Sequence, residues 1–311
     1  MNLDSRDEAF PEPPETAAGL PEALGLELSI GGPAPGHMIP DQVPTGQTPS
    51  GHTPPDHTPI DGRVPWSWAD IGLLAVVAIG STFLYGVVIV LVLAAMGIHP
   101  SHVQKSTTES GMVAVVAQIL ADLSVMVYLA VQARVRFRSL FWNLLGWRKL
   151  ETGELPRGLV YGGFVLGGFF LAILVTLLDS AFPTKQALPI QALLEDHRTA
   201  ILFMLTAVLV APVVEETIFR GYIYPVCVRS FGTGWGILVT GTMFGLLHSV
   251  QLWGGWWQIG FLILVGIVLT AARAATGTVV ASFLVHVSYN ALPVIAYVIA
   301  THGFRQAPVL H

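Results

Sequence analysis

From Trp66 onward the chain runs through long apolar stretches, and seven ionisable or strongly polar side chains inside them could do chemistry: Asp122, Glu215, Glu216, Arg220, His248, His286 and Asn290. A charge at the centre of a membrane helix costs about 2.5–3.5 kcal/mol on insertion scales, so each asks for a reason to be there. Glu216 and Arg220 are four residues apart, on one helical face, and can pair. Glu215 points about 100° away from Glu216, so the two carboxylates are expected to serve different neighbours, one held by arginine and the other free to face a cavity. His286 and Asn290 also share a face at i, i+4, and Phe244 precedes His248 by the same interval. Asp122 is expected only to bond a Ser or Tyr on a neighbouring helix.

A carboxylate in low-dielectric surroundings becomes a stronger base, and a neighbouring imidazole can share or orient its proton. Glu215 with His248 is therefore suited to activating a water. The oxyanion that develops when water attacks an acyl group would be received by His286 and the Asn290 amide. That is peptide hydrolysis without a serine or cysteine nucleophile. Glu215, His248 and His286 can equally be read as ligands of a Zn²⁺ ion that acidifies its bound water, although no His-Glu-x-x-His helix is present. Pro212 removes a backbone donor just upstream of the carboxylates, freeing carbonyls that water or neighbouring helices must satisfy.

The elements that must hold these groups are membrane helices. Of 311 residues, 53% are hydrophobic and 11% charged, with a mean hydropathy of +0.64, values outside the range of soluble domains. Spans of about 20 apolar residues are needed to cross a bilayer. The pattern predicts seven, at about residues 68–98, 111–133, 158–181, 198–228, 233–250, 257–275 and 278–300, an all-α polytopic bundle. Trp66, Trp68, Trp147, Trp235, Trp253, Trp256 and Trp257 fall near the proposed ends, where indoles anchor at the interface. Arg134, Arg136, Arg138, Arg148, Lys149 and Arg157 crowd the connection after the second span, which places that connection in the cytoplasm and the N-terminus with it. The same bases could instead form a lipid-headgroup or nucleic-acid patch, but a topology signal is the commoner cause. The expected home is a prokaryotic plasma membrane.

Residues 1–65 are a different material, with ten acids against Arg6 and Arg63 and 13 of the 21 prolines. Such a segment buries too little apolar surface to offset chain entropy and is expected to be a disordered tail; its start lacks the layout of a signal peptide. The helical membrane domain takes up residues 66–303. Cys227 stands alone, which rules out an internal disulfide and any cysteine-rich metal site.

Glu215-Glu216-x-x-x-Arg220, Phe244-x-x-x-His248 and His286-x-x-x-Asn290, in that order on successive apolar segments, resemble the three motifs of the CAAX protease and bacteriocin-processing family of intramembrane proteases (CPBP, also called Abi), which includes the type II CAAX prenyl endopeptidases. The resemblance covers about a third of the chain, about residues 198–297. It implies a helical membrane hydrolase with a water-filled cavity opening toward the cytoplasm, acting on a protein or peptide substrate in contact with membrane lipids and without nucleic acid. It also implies water activation by Glu215 and His248, oxyanion binding by His286 and Asn290, and a supporting role for Glu216 and Arg220. Members are commonly labelled metalloproteases, and a metal-independent glutamate mechanism has also been argued, so the cofactor is either none or Zn²⁺. The substrate, CAAX-type or another processed peptide, does not carry over. From other classes, an ion- or proton-coupled transporter and a catalytically silent membrane adaptor use the same kinds of buried residue; the transporter would predict internal repeats, and none is evident.

Overall fold

The computed structural model describes residues 64–97, 107–182, 184 and 188–303, and among these every regular element is helical. The expected tail of residues 1–65 lies outside them except for its last two positions. The first helix, α1, spans Trp68–Ala95 and starts where the Ser67 backbone N–H donates to Asp70 Oδ2 at 2.8 Å, tying down the first turn. Asp70 also pairs with Arg136, in a π-helical turn over Gln132–Arg136 that follows α2 (Thr107–Val131). A short turn of helix, α3 (Phe141–Leu144), leads to α4 (Arg157–Ala181). Asp196 then caps α5 (His197–Leu205) by accepting from the Thr199 N–H at 2.9 Å.

A continuous helical run from His197 to Leu247 follows, 51 residues long. It contains α5, a π-helical turn Thr206–Val210, α6 (Ala211–Glu216), a second π-helical turn Thr217–Ile223, and α7 (Tyr224–Leu247). The last two helices are α8 (Trp256–Thr276), stopped by Gly277 at φ 69°, and α9 (Val279–Ala300). Among the described residues six helices are long and apolar enough to cross a membrane, so the chain is a multi-pass helical membrane protein.

Six rather than seven are counted because the expected spans 198–228 and 233–250 fall within one run, whose two arms meet at Gly232. That run is not straight. Gly232 adopts φ 79° and ψ 169°, a region essentially reserved for glycine. In a straight helix residues 228 and 236 would be about 12 Å apart along the axis. A Cβ on Gly236 would instead lie 3.0 Å from Val228 Cγ2, so the chain doubles back sharply here.

Lipid tails are as apolar as leucine, so helices associate through close packing at small residues. A Cβ on Gly241 would lie 2.6 Å from the Ile267 nitrogen, and one on Gly266 2.5 Å from the Gly241 carbonyl oxygen, which brings α7 and α8 nearly backbone to backbone. Gly168 of α4 sits against α9 in the same way, where a Cβ would meet Ser288 Oγ and the Val285 carbonyl oxygen. By contrast α1 presents most of its surface outward, with Val76, Ile79 and Phe83 among its exposed residues, as lipid-facing helices do.

Trp66 departs from the expected interfacial role. It is completely buried, stacked on Tyr222 with ring centroids 4.8 Å apart, and its indole N–H donates to the Tyr222 carbonyl at 2.8 Å. Trp147 is likewise half-buried, whereas Trp68, Trp235, Trp253, Trp256 and Trp257 stay exposed. A polar tip on an apolar ring suits either place, provided the N–H finds an acceptor.

Candidate active site

Glu215 and Glu216 end α6, His248 follows the last turn of α7, and His286 and Asn290 lie on α9. The two π-helical turns on either side of α6 each insert an extra residue into the ladder, a distortion common at functional sites. At the first, the Ala211 N–H reaches back five residues to the Thr206 carbonyl. The next such bond would run from residue 212 to the Ala207 carbonyl, and Pro212 has no N–H to make it. Asn290 supplies the missing donor, its Nδ2 giving a hydrogen bond to the Ala207 carbonyl at 2.8 Å. A neighbouring helix thus satisfies the carbonyl beside the proline, as anticipated.

Glu216 is fully buried and its Oε1 accepts from Arg220 Nη1 and from His286 Nδ1, each at 2.9 Å. Arg220, also fully buried, donates from Nε to Thr270 Oγ1 at 3.2 Å and from Nη2 to the Gly266 carbonyl at 2.8 Å. Its guanidinium lies 4.6 Å from the centre of the Phe244 ring, which also packs against the rings of His248 and His286. Phe244 is thus the apolar wall shared by both imidazoles and the arginine.

Glu215 is the more solvent-accessible carboxylate, with its side chain 21% exposed against 0% for Glu216. Its Oε1 lies 3.8 Å from His248 Nε2 and its Oε2 lies 3.6 Å from His286 Nε2. These gaps exceed a direct hydrogen bond and fall within the reach of one bridging water. The remaining ring nitrogen of each histidine is already engaged: His248 Nδ1 with the Phe244 carbonyl at 2.9 Å and His286 Nδ1 with Glu216. A carbonyl can only accept, so His248 Nδ1 carries the hydrogen and a neutral ring turns its Nε2 lone pair toward Glu215. The adjacent carboxylates do not serve wholly different neighbours, because the two nitrogens of His286 bridge between them.

Glu215, His248 and His286 are therefore together, with Glu216 and Arg220 behind them, and Asn290 is anchored on the first π-helical turn. Asp122 bonds Gln118 of its own helix at 2.7 Å rather than a neighbour's hydroxyl, and lies within electrostatic reach of Glu215. Thr270 and the Gly266 carbonyl, which complete the Arg220 shell, carry no signal in the sequence beyond a lone hydroxyl in an apolar span. Trp147, which donates to Thr217 Oγ1 at 3.0 Å, reads there only as an interfacial indole.

Zinc needs three side-chain donors converging to about 2.0–2.2 Å from one point. Among the described residues no group of three or more His, Cys, Asp or Glu is so disposed, Glu215, His248 and His286 included.

A multi-pass helical bundle with carboxylates and imidazoles gathered among its spans defines a class: a membrane protein with a buried acid–base centre. Residues 197–292 match the family model described as type II CAAX prenyl endopeptidase Rce1-like, in agreement with the resemblance to the CPBP proteases and spanning all six site residues. That similarity points to an intramembrane peptidase of the CAAX type. No curated protein and no solved structure matches the chain.

Proposed function

We propose that the chain is an intramembrane endopeptidase that hydrolyses a peptide bond with a water activated by Glu215 and His248, without a metal ion. The observation that carries this reading is the position of the Glu215 carboxylate, 3.8 Å from one imidazole Nε2 and 3.6 Å from another, on the only site carboxylate with solvent exposure. A water between Glu215 Oε1 and His248 Nε2 donates its hydrogens to both acceptors and keeps a lone pair for attack. Its oxygen adds to the scissile carbonyl carbon while its proton passes to Glu215. The oxyanion is received by the second Nδ2 hydrogen of Asn290, the first being committed to Ala207, and by Nε2–H of His286 when both of its ring nitrogens carry hydrogen, Nδ1–H being committed to Glu216. Collapse breaks the C–N bond, and Glu215 returns the proton to the departing amine. Glu216 and Arg220 orient His286 from behind. The substrate is a protein or peptide segment, CAAX-type or otherwise processed, reaching the site from the cytoplasmic side, the side on which the basic connection and the N-terminus are assigned.

The test is cleavage of a peptide library by the purified full-length protein, with Glu215→Gln and His248→Ala beside the parent and chelator in a duplicate. Removal of a general base costs about 10²- to 10⁴-fold, so both variants should lose cleavage to that extent while the parent resists chelation. Undiminished cleavage by both variants overturns the assignment, and activity restored by Zn²⁺ after chelation overturns its metal-free part. Glu215-dependent ion flux in liposomes with no cleaved product would instead mark a transporter.

A further inference from the structure

The connection between α2 and α4 is more than a topology marker. Arg134, Arg138 and Lys149 are exposed along it, and between them stand Val135, Leu140 and Trp142, 72%, 66% and 50% exposed. Arg136, of the same group, is held by Asp70. Cations alternating with outward apolar side chains suit a surface where acyl chains meet headgroups: the apolar groups enter the hydrocarbon boundary and the cations stay at phosphate level. A polyanionic partner in water would satisfy the cations and leave Val135, Leu140 and Trp142 wet.

We propose that residues 134–149 form a binding surface for anionic phospholipid headgroups, joined mechanically to the helix that carries the site. The join is made just beyond the apolar stretch. The Gly146 carbonyl accepts from the Val279 N–H at 3.0 Å, at the start of α9. The Leu145 carbonyl lies so close to Gly221 that a Cβ there would come within 2.8 Å of it. Trp147 bonds Thr217, the residue after Glu216. A headgroup that orders the connection therefore orders the turn that follows both carboxylates, and this holds whatever reaction the site performs.

The full-length protein is reconstituted in phosphatidylcholine liposomes containing either brominated phosphatidylglycerol or brominated phosphatidylcholine, and the tryptophan fluorescence lost on substituting Trp142→Phe is taken as the Trp142 signal. That signal should be quenched about twofold or more in preference by the anionic lipid, with the preference shrinking at high salt. Arg134→Gln, Arg138→Gln and Lys149→Gln together should abolish the preference, while Arg134→Lys with Arg138→Lys, which keeps the charge, should retain it. Equal quenching by the two lipids in the parent, or a preference surviving the triple glutamine variant, overturns the proposal. So does displacement of the anionic lipid by a short DNA oligonucleotide at equal phosphate concentration, which would assign the surface to nucleic acid.

Discussion

Arg220 Nη1 lies 2.9 Å from Glu216 Oε1, and neither side chain has any contact with solvent. Two opposite charges withdrawn from water are stable only as a pair, so truncating one leaves the other uncompensated. Arg220→Met should lower stability by about 3–5 kcal/mol, read as thermal unfolding in detergent. Adding Glu216→Leu should recover part of that loss, because the stranded carboxylate goes with it. A double variant as unstable as the sum of the two single ones would show that they do not act as a pair.

Asn290 and Pro212 are coupled through one carbonyl. Asn290→Ala should cost about 1–3 kcal/mol by orphaning the Ala207 oxygen. In a Pro212→Ala background, where a backbone N–H is restored beside that oxygen, the same substitution should cost measurably less. Equal costs in both backgrounds, measured by chemical denaturation, would break the coupling.

Two glycines of α4 should behave oppositely. Gly168→Ala drives a methyl into Ser288 and the Val285 carbonyl and should destabilise by about 1–3 kcal/mol. Gly162→Ala meets nothing within 4 Å and gains helix propensity, so it should be neutral or stabilising by up to about 1 kcal/mol. Melting temperatures of the two variants check the contrast.

Gly232→Ala forces a side chain into a backbone region closed to L-residues and should cost about 1–3 kcal/mol. Gly234→Ala, two residues on and with open space around its Cβ position, is the control. Limited proteolysis at the bend should accelerate in the first variant and not in the second.

The centre was legible in the sequence because lipid makes polar residues conspicuous. With few ionisable groups inside the spans, Glu215, His248 and His286 had to meet one another or stay unsatisfied, and a helical face was enough to pair Glu216 with Arg220. What stayed hidden has a shared cause. A π-helical turn and an α-helical turn carry the same apolar composition, so nothing announces the distortions around α6. Gly232 is one glycine among 32, so nothing in the sequence marks it as the point where the two arms of the run meet. Trp66 satisfies the rule for an interfacial indole as well as that for a core indole, and only the Tyr222 carbonyl decides between them.

The seat of Trp66 also bears on how the chain is made. Synthesis proceeds from the N-terminus, and this indole leaves the ribosome 156 residues before the backbone oxygen it will bond. Until the Tyr222 region arrives, the opening helix can lean only on its successor, so the nascent protein must park a large unsatisfied ring at the threshold of the bilayer and reel it in late. Closure of that latch thus waits until the first four helices and the carboxylate-bearing turn have been made, while α8 and α9 are still to come.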